Sequence, residues 1–401
     1  MNVMIYLSYN YLSAQILQEN DLMLISRLFF RPRSAWLIVV TVLIMPYSAA
    51  TQSLNIPSSR GGISFGNSKA FTGLRFNYRD RDVEYVNGIN VTLWQPHESK
   101  QLSQIRGLSL GVLPGGGELS GIQLGLLGVS AQTNLRGISF GLLGIGGGAV
   151  VKGISIGGLG LGGGGIVSGL NIGGLGVGAG GILSGITLAG LGAGSGGDVS
   201  GLNLAGLGFG AGGDMRGITM AGFGVGAAEN VGGLQLAGFG IGAGGNLTGI
   251  SMAAFGVGAG GDITGISITG LGVGAGEKIK GITISGLGVG AGNELCGITL
   301  AGLGAGSRTL RGLTIAGIAV GGKELNGVQL ALGTVRVADD GCMSLFSASA
   351  FNHVQGIQSG LSIGLVNYAR RLVGLQLGVI NIVKDNPKYL RILPLFNAGF
   401  K

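Results

Sequence analysis

The first residues in this chain that suggest chemistry are serines set between glycines. Ser155 stands in the pattern Gly-x-Ser-x-Gly, in which α/β-hydrolases expose a nucleophilic serine on a sharp turn between a strand and a helix. The same pattern recurs around Ser64, Ser109, Ser139 and Ser362. A hydrolase needs one such serine beside a histidine base, and the two histidines, His97 and His353, lie in opposite flanks of the chain. We therefore predict no catalytic residue and no enzyme.

Two glycine-rich segments resemble nucleotide-binding loops. Gly176, Gly178 and Gly181 have the spacing of a dinucleotide fingerprint, but that motif needs a helix after it and the following glycines oppose one. The segment from Gly317 to Lys323 resembles a phosphate loop, but Glu324 stands where a serine or threonine must hold magnesium. We predict no cofactor.

A third candidate is a calcium site, because Gly-Gly-Asp recurs at Asp198, Asp214 and Asp262. Calcium-binding solenoids use a nine-residue repeat, whereas these aspartates belong to a repeat of sixteen. Lys278 occupies the same place in a later unit and would repel the ion. We predict no metal site.

The element that carries all these motifs is a tandem repeat headed by a glycine every sixteen residues. We call this glycine the leading residue of each unit. The leading residues of the regular units are Gly137, Gly153, Gly169, Gly185, Gly201, Gly217, Gly233, Gly249, Gly265, Gly281 and Gly297. Identical units in tandem are typical of a stack in which each coil buries its apolar face against its neighbours.

The unit from Gly201 predicts short strands and corners. Its large apolar residues are Leu202, Leu204, Leu207, Phe209 and Met215. Spacings of two are the strand signal. Spacings of three, from Leu204 to Leu207 and from Met215 to Ile218 of the next unit, indicate bends. Each unit therefore reads as two short strands and two bends with these apolar side chains inward.

The window from Gly153 to Gly197 resembles two membrane helices by hydropathy. Glycine takes nearly every second place in parts of this window. Each glycine inside a helix destabilises it by about 1 kcal/mol relative to alanine, so the composition opposes a helix. We therefore predict an all-β repeat protein, a parallel β-solenoid with coils of about 16 residues.

The alternative fold is an outer-membrane β-barrel with one strand per unit. Sixteen residues suffice, since a membrane strand needs about 9–11, and the segment from Ile392 to Phe400 alternates like a terminal barrel strand before Lys401. Antiparallel neighbours would place identical turns on opposite sides of the membrane, and neither strand face is polar enough for a water-filled lumen. These two points favour the solenoid.

Two columns of the stack are polar. Two places after the leading residue stand only uncharged polar side chains, among them Asn171, Thr187, Asn203, Thr219 and Thr283, and we predict that this column faces water. Such a face also suggests an ice-binding or matrix-adhesive protein. Its side chains vary between hydroxyl and amide, however, which argues against a surface matched to a lattice. Thirteen places after the leading residue, the residue type changes from isoleucine at Ile166 and Ile182 to Asp, Asn, Lys and Glu in later units, which predicts a bend.

The flanks divide the chain into four predicted parts. Residues 1–50 read as a signal peptide region, 51–106 as an N-terminal β cap, 107–336 as the glycine-rich repeats, and 337–401 as variant repeats with a C-terminal cap. In the last part, Asn367 and Asn381 hold equal places and suggest either an amide ladder or turns. Cys296 and Cys342 are the two cysteines, too few for a disulfide framework, and whether they pair stays open.

The signal region carries the prediction of export. Arg27, Arg31 and Arg33 precede an apolar run from Trp36 to Met45, and Ser48-Ala49-Ala50 supplies the small residues of a signal-peptidase site. Met23 is an alternative start for this signal.

The formal net charge of +8 includes these arginines, and the other basic residues are scattered, so we predict no nucleic-acid partner. In segments such as Leu207 to Gly212, glycines alternate with apolar residues, which predicts one outer face of almost bare backbone, the glycine face. The partners that we consider are envelope lipid, polysaccharide, or another copy packed through this face.

The units Gly-Ile-Thr-Leu-Ala-Gly-Leu-Gly-Ala-Gly and the closing run from Gly374 to Asn397 resemble the bacterial surface-repeat-containing protein family of the cell envelope. The likeness extends from about Gly62 to Asn397. It implies a place at the cell surface or outer membrane and supplies no catalytic residue. We therefore expect an exported, non-enzymatic envelope protein with a structural or interaction role.

Overall fold

The described part of the chain is all β. In the computed structural model, residues 53–96 and 103–399 are described, apart from the side chain of residue 339. Among these residues no helix is long and apolar enough to cross a membrane. The predicted signal region and His97 lie outside the described residues.

The strands follow one another in short succession. The first seven are β1 Leu54–Pro57, β2 Gly61–Phe65, β3 Ala70–Arg79, β4 Tyr85–Trp94, β5 Gln104–Gly111, β6 Gly115–Gly125 and β7 Gly128–Gly141. The regular repeats give β8 Gly144–Gly147, β9 Val150–Gly157, β10 Gly160–Gly163, β11 Ile166–Gly173, β12 Gly176–Ala179, β13 Ile182–Ala189, β14 Gly192–Ser195, β15 Val199–Ala205, β16 Gly208–Ala211, β17 Met215–Ala221, β18 Gly224–Ala227, β19 Val231–Ala237, β20 Gly240–Ala243, β21 Leu247–Ala253, β22 Gly256–Ala259, β23 Ile263–Thr269, β24 Gly272–Ala275, β25 Lys278–Ser285, β26 Gly288–Ala291, β27 Glu294–Ala301 and β28 Gly304–Gly306. The remainder are β29 Thr309–Ala316, β30 Ala319–Ala331, β31 Thr334–Ala348, β32 Phe351–Val383 and β33 Ile392–Gly399.

These strands form a parallel β-solenoid. Each long strand pairs in parallel with the long strand one coil away, so that Gly201 of β15 lies opposite Gly217 of β17. Each short strand pairs likewise, as Gly208 of β16 does with Gly224 of β18. The parallel ladder and the two strands in each unit confirm the predicted solenoid over its alternative.

A third change of direction, which the sequence pattern did not show us, lies at the leading residue. Gly201 has φ +105°, and a Cβ on it would overlap the carbonyl oxygen of Gly185 in the coil below. This combination of left-handed backbone and close stacking strongly favours glycine at Gly201. Met215 and Thr219 flank the leading residue Gly217 and both point inward, because a spacing of four keeps two side chains on the same face.

The predicted orientation of the long strands was wrong. Thr219 is fully buried, whereas Leu207 is 46 % exposed and Leu202 and Leu204 lie outside, partly exposed. Phe209 and Met215 are inward, as predicted. In the Gly201 unit the interior therefore holds an uncharged polar residue, small alanines and two large apolar residues, while leucines line the outside.

The buried polar column runs the whole length of the stack. Its members stand two places after the leading residue and are all buried: Ser64, Arg75, Asn90, Ser109, Gln123, Ser139, Ser155, Asn171, Thr187, Asn203, Thr219, Gln235, Ser251, Ser267, Thr283, Thr299, Thr314, Gln329, Ser347, Ser362 and Gln376. An uncharged polar group in a dry interior is far less costly than a charge. This explains why the column avoids charges in the regular repeats.

The predicted bend thirteen places after the leading residue is a ladder of side-chain caps. Asp198 Oδ1 accepts the backbone N–H of Asp214 at 3.0 Å, and Asp214 Oδ1 accepts that of Asn230 at 3.1 Å. Asn230 and Asn246 continue the pattern at 2.9 and 2.8 Å. These oxygens satisfy corner amides that no strand partner reaches.

Antiparallel strands cover both ends of the parallel stack. Strand β1 pairs antiparallel with β2, and β33 pairs antiparallel with the last coil of β32. At the first end the buried Arg75 donates to Asp80 at 2.8 Å and to Asn90 at 3.0 Å. A reversed strand at each end alters the template that an open parallel edge would offer to another chain.

The C-terminal asparagines form the predicted amide ladder. Asn352 Nδ2 donates to Asn367 Oδ1 at 2.7 Å, and Asn367 Nδ2 donates to Asn381 Oδ1 at 2.8 Å. All three are buried. They continue an amide hydrogen-bond chain from coil to coil near the C-terminal end.

Candidate interaction surface

The solenoid buries the serines that resemble hydrolase nucleophiles. The five serines of the Gly-x-Ser-x-Gly pattern belong to the polar column and expose at most 2 % of their surface. Ser139 Oγ lies 2.8 Å from the Gln123 amide, and Ser362 Oγ lies 2.8 Å from Ser347 Oγ. A nucleophile must meet its substrate, so these serines are placed as interior packing groups.

The nucleotide-like glycines also lie on strands. Gly176 and Gly178 belong to β12, and Lys323 and Glu324 belong to β30. Both motifs require a helix whose N-terminus meets the phosphate. Both segments are extended strands instead, so neither forms the phosphate-binding loop that its sequence motif resembles.

The remaining reactive residues are dispersed. Cys296 and Cys342 are free and partly exposed. His353 stacks on Phe351, with ring centroids 5.4 Å apart, and tilts against Tyr368 at 5.0 Å. Burial, and secondarily the charge of Arg336, lowers the pKa of His353. In the described ranges, His, Cys, Asp and Glu side chains form no group of three that could share a metal ion.

The largest unusual feature of the surface is an apolar face. It consists of three outward rows, at one, three and six places after the leading residue, and we name them the first, third and sixth rows. Every residue of the first row and every residue of the third row is apolar from Gly62 to the coil of Gly374. The exposed large members of the first row include Ile122, Ile138, Ile154, Ile186, Ile218, Ile250, Ile282 and Ile298.

The sixth row forms a ridge at a corner of the coil. It contains Leu175, Leu191, Leu207, Phe223, Phe239, Phe255, Leu271 and Leu287, which are all exposed. The rings of Phe223, Phe239 and Phe255 stack at 4.7 and 4.6 Å along the solenoid. Stacking of aromatic rings at this spacing adds about 0.5–1.5 kcal/mol per pair.

An open groove lies beside this ridge. It runs from Ile172 to Gly270 and has a volume of about 1250 Å³. Third-row side chains such as Leu204, Met220 and Leu236 line it, and alanine and glycine form its floor. At about 4.8 Å per coil its length is about 30 Å. Its lining side chains are apolar except for Thr269.

Beyond the ridge lies the glycine face, formed by the outward glycines of the short strands. Gly210 and Gly242 have no atom within 4 Å of the place that a Cβ would take. The bare face that the alternation of glycines predicted is therefore present on the short strands, whereas the long strands carry large apolar side chains outside.

Sequence reasoning missed the apolar face because it placed those side chains inside. One signal in the sequence was the fourth place after the leading residue, which holds glycine, alanine, serine or threonine in the regular repeats. Such small residues are needed where side chains from opposite walls of a narrow coil meet. If the fourth place points inward, alternation also places the polar residue at the second place inside and the apolar residues at the first and third places outside.

Soluble monomers rarely expose contiguous apolar patches above about 300–600 Å². Three apolar rows repeated over many coils form an extended apolar face, which is therefore the candidate interaction surface. Comparison with protein-family models, curated proteins and solved structures finds no match to the chain. What the repeat and the fold establish is a glycine-rich β-solenoid repeat protein.

Proposed function

We propose that this chain is an exported, non-enzymatic protein of the bacterial cell envelope with a structural or interaction role. The observation that carries the proposal is the apolar face on the outside of a rigid solenoid. A scaffold of repeated coils presents the same side chains at a fixed spacing of about 4.8 Å. Such an array suits adhesion to an extended surface better than capture of one small molecule.

Three further observations support the proposal. The basic and apolar segments before Ala50 have the order of an export signal. The repeats and the closing run resemble the surface-repeat-containing family of the cell envelope. The serines of the hydrolase-like pattern are buried, which favours a structural role for them.

Fractionation of cells that produce the full chain with a C-terminal tag tests this proposal. We expect the protein in the envelope fraction, with a mature N-terminus at Thr51. The matched control is Val40→Asp, which places a charge in the apolar run of the signal and should leave the chain uncleaved in the cytosol. Recovery of the unaltered chain in the cytosol with its first residues intact would contradict the proposal.

A further inference from the structure

One edge of the apolar face is basic. The residue immediately before each leading residue points outward beside the first row, and six members of this row are charged: Arg106, Arg136, Lys152, Arg216, Lys280 and Arg311. All six are exposed, and the row contains no aspartate or glutamate. We name this row the basic edge.

The acidic residues lie one step farther from the apolar face. Asp214 and Glu294 stand at the corner before the basic edge, where they pair with Arg216 at 2.6 Å and with Arg311 at 3.3 Å. The guanidinium side chain of Arg216 is still 75 % exposed. Arg136, Lys152 and Lys280 make no ion pair with any described residue. Around the coil, therefore, the order is acidic corner, basic edge, apolar face and glycine face.

This order matches the interface of an anionic bilayer. A structure that lies in the plane of a membrane buries apolar side chains at the acyl boundary and directs Lys and Arg to the headgroups. The alkyl stems of Lys and Arg run along apolar surface while their charged ends stay in water. Each basic residue near an anionic surface contributes an attraction that a zwitterionic surface does not provide.

We propose that the apolar face docks on a bilayer containing anionic lipid, with the basic edge against the headgroups. This inference rests on the proposed envelope location and names the partner there. The groove from Ile172 to Gly270 gives acyl chains a place between the third row and the ridge. A second copy of the chain would bring an identical basic edge, which offers no opposite charge to it. A polysaccharide would need polar partners, which the first and third rows lack.

Co-sedimentation of the purified full chain with vesicles tests the inference. The vesicles contain phosphatidylcholine alone or phosphatidylcholine with phosphatidylglycerol, at low and at high salt. We expect binding to the anionic vesicles to exceed binding to the neutral ones at least about tenfold and to weaken with salt. The triple variant Arg136→Gln, Lys152→Gln, Lys280→Gln should lose about ten- to hundredfold in affinity for the anionic vesicles.

The matched control removes the same charge elsewhere. Arg308→Gln, Lys323→Gln and Lys388→Gln change exposed residues off the basic edge and should reduce binding less than about threefold by the same electrostatic arithmetic. Equal losses in both triple variants would overturn the inference, because attraction would then follow net charge alone. It would also be overturned by a chain that ignores vesicles and instead forms discrete dimers. An envelope-located chain with that behaviour would contradict the lipid partner and leave the proposed function standing.

Discussion

Leu345 lies directly opposite Gly360 in the parallel ladder, and both residues have positive φ, 84° and 110°. Leu345 takes the place that a leading glycine takes from Gly62 to Gly327 and again at Gly360 and Gly374. A bulky residue held in this region is strained by about 1–3 kcal/mol. Its side chain is 64 % exposed, so burial offsets little of that strain.

Replacing Leu345 with glycine should therefore stabilise the protein. We expect Leu345→Gly to raise the free energy of unfolding by about 1 kcal/mol, since relief of strain exceeds the added freedom of glycine in the unfolded chain. Urea unfolding followed by circular dichroism measures the change. The control is Gly201→Ala, which should destabilise by about 2 kcal/mol or more because its Cβ would overlap the Gly185 carbonyl. A less stable Leu345→Gly variant would show that the side chain contributes more than its exposure indicates.

The polar column should contain members that do not add stability. Thr219 Oγ1 is buried and has no hydrogen-bond partner in the described part of the chain, so Thr219→Val should be neutral or stabilising by up to about 1 kcal/mol. Ser347 Oγ is bonded to Ser362 Oγ at 2.8 Å, so Ser347→Ala should cost about 1–2 kcal/mol. Melting temperatures of the two variants test the contrast. Equal destabilisation by both would mean that Thr219 has an interior partner.

His353 should make stability depend on pH. Its pKa in the folded protein is below the ordinary value of 6.5, mainly because of burial, so the unfolded chain binds its proton more readily. Stability from this group is therefore present above pH 6.5 and is lost as the pH falls from there to the folded pKa. His353→Gln should flatten the melting-temperature profile over that window. An unchanged slope in the variant would assign the dependence to other groups.

The antiparallel strand at the C-terminal end should block growth of the stack. Deletion of residues 384–401 removes β33 and uncovers the edge of β32 that pairs with it from Gly374 to Ile382. An exposed parallel edge is a template for another chain, so we expect concentration-dependent assembly in sedimentation velocity. Deletion of residues 400 and 401 alone is the control and should sediment as the parent does. A shortened chain that sediments as the parent at every concentration would contradict a capping role for this strand.

The sequence was sufficient to predict the solenoid because sixteen-residue periodicity and interior glycine leave few other folds. It did not reveal which face of the long strands points inward, since a spacing of two is the same for both faces. Assigning Leu202 and Leu204 to the core followed the usual preference of leucine, but the narrow coil accepts Asn203 and Ala205 there instead. The positive φ of Gly201 goes together with close stacking against Gly185 in the neighbouring coil and is not a property of one repeat.

Because the inward and outward faces of the long strands were exchanged in the prediction, the surface was also predicted wrongly. Thr187, Thr219 and Thr283 are buried, so they cannot form the ice-binding or adhesive face that their regularity suggested. The sequence shows a basic residue before six of the leading glycines. These residues indicate an interaction surface only once the fold places them beside an apolar face. The candidate interaction surface therefore became apparent from the fold and not from the repeat.

The most direct test of this account is the free energy of unfolding of Leu207→Asp and Thr219→Asp, measured in urea against the unaltered chain. With leucine outside and threonine inside, Leu207→Asp should stay within about 0.5–1 kcal/mol of the parent. Thr219→Asp should lose several kcal/mol, roughly 3 or more, because it places an unpaired carboxylate in the interior. The opposite order, with a stable Thr219→Asp and an unfolded Leu207→Asp, would contradict the assignment of inside and outside on which the apolar face depends.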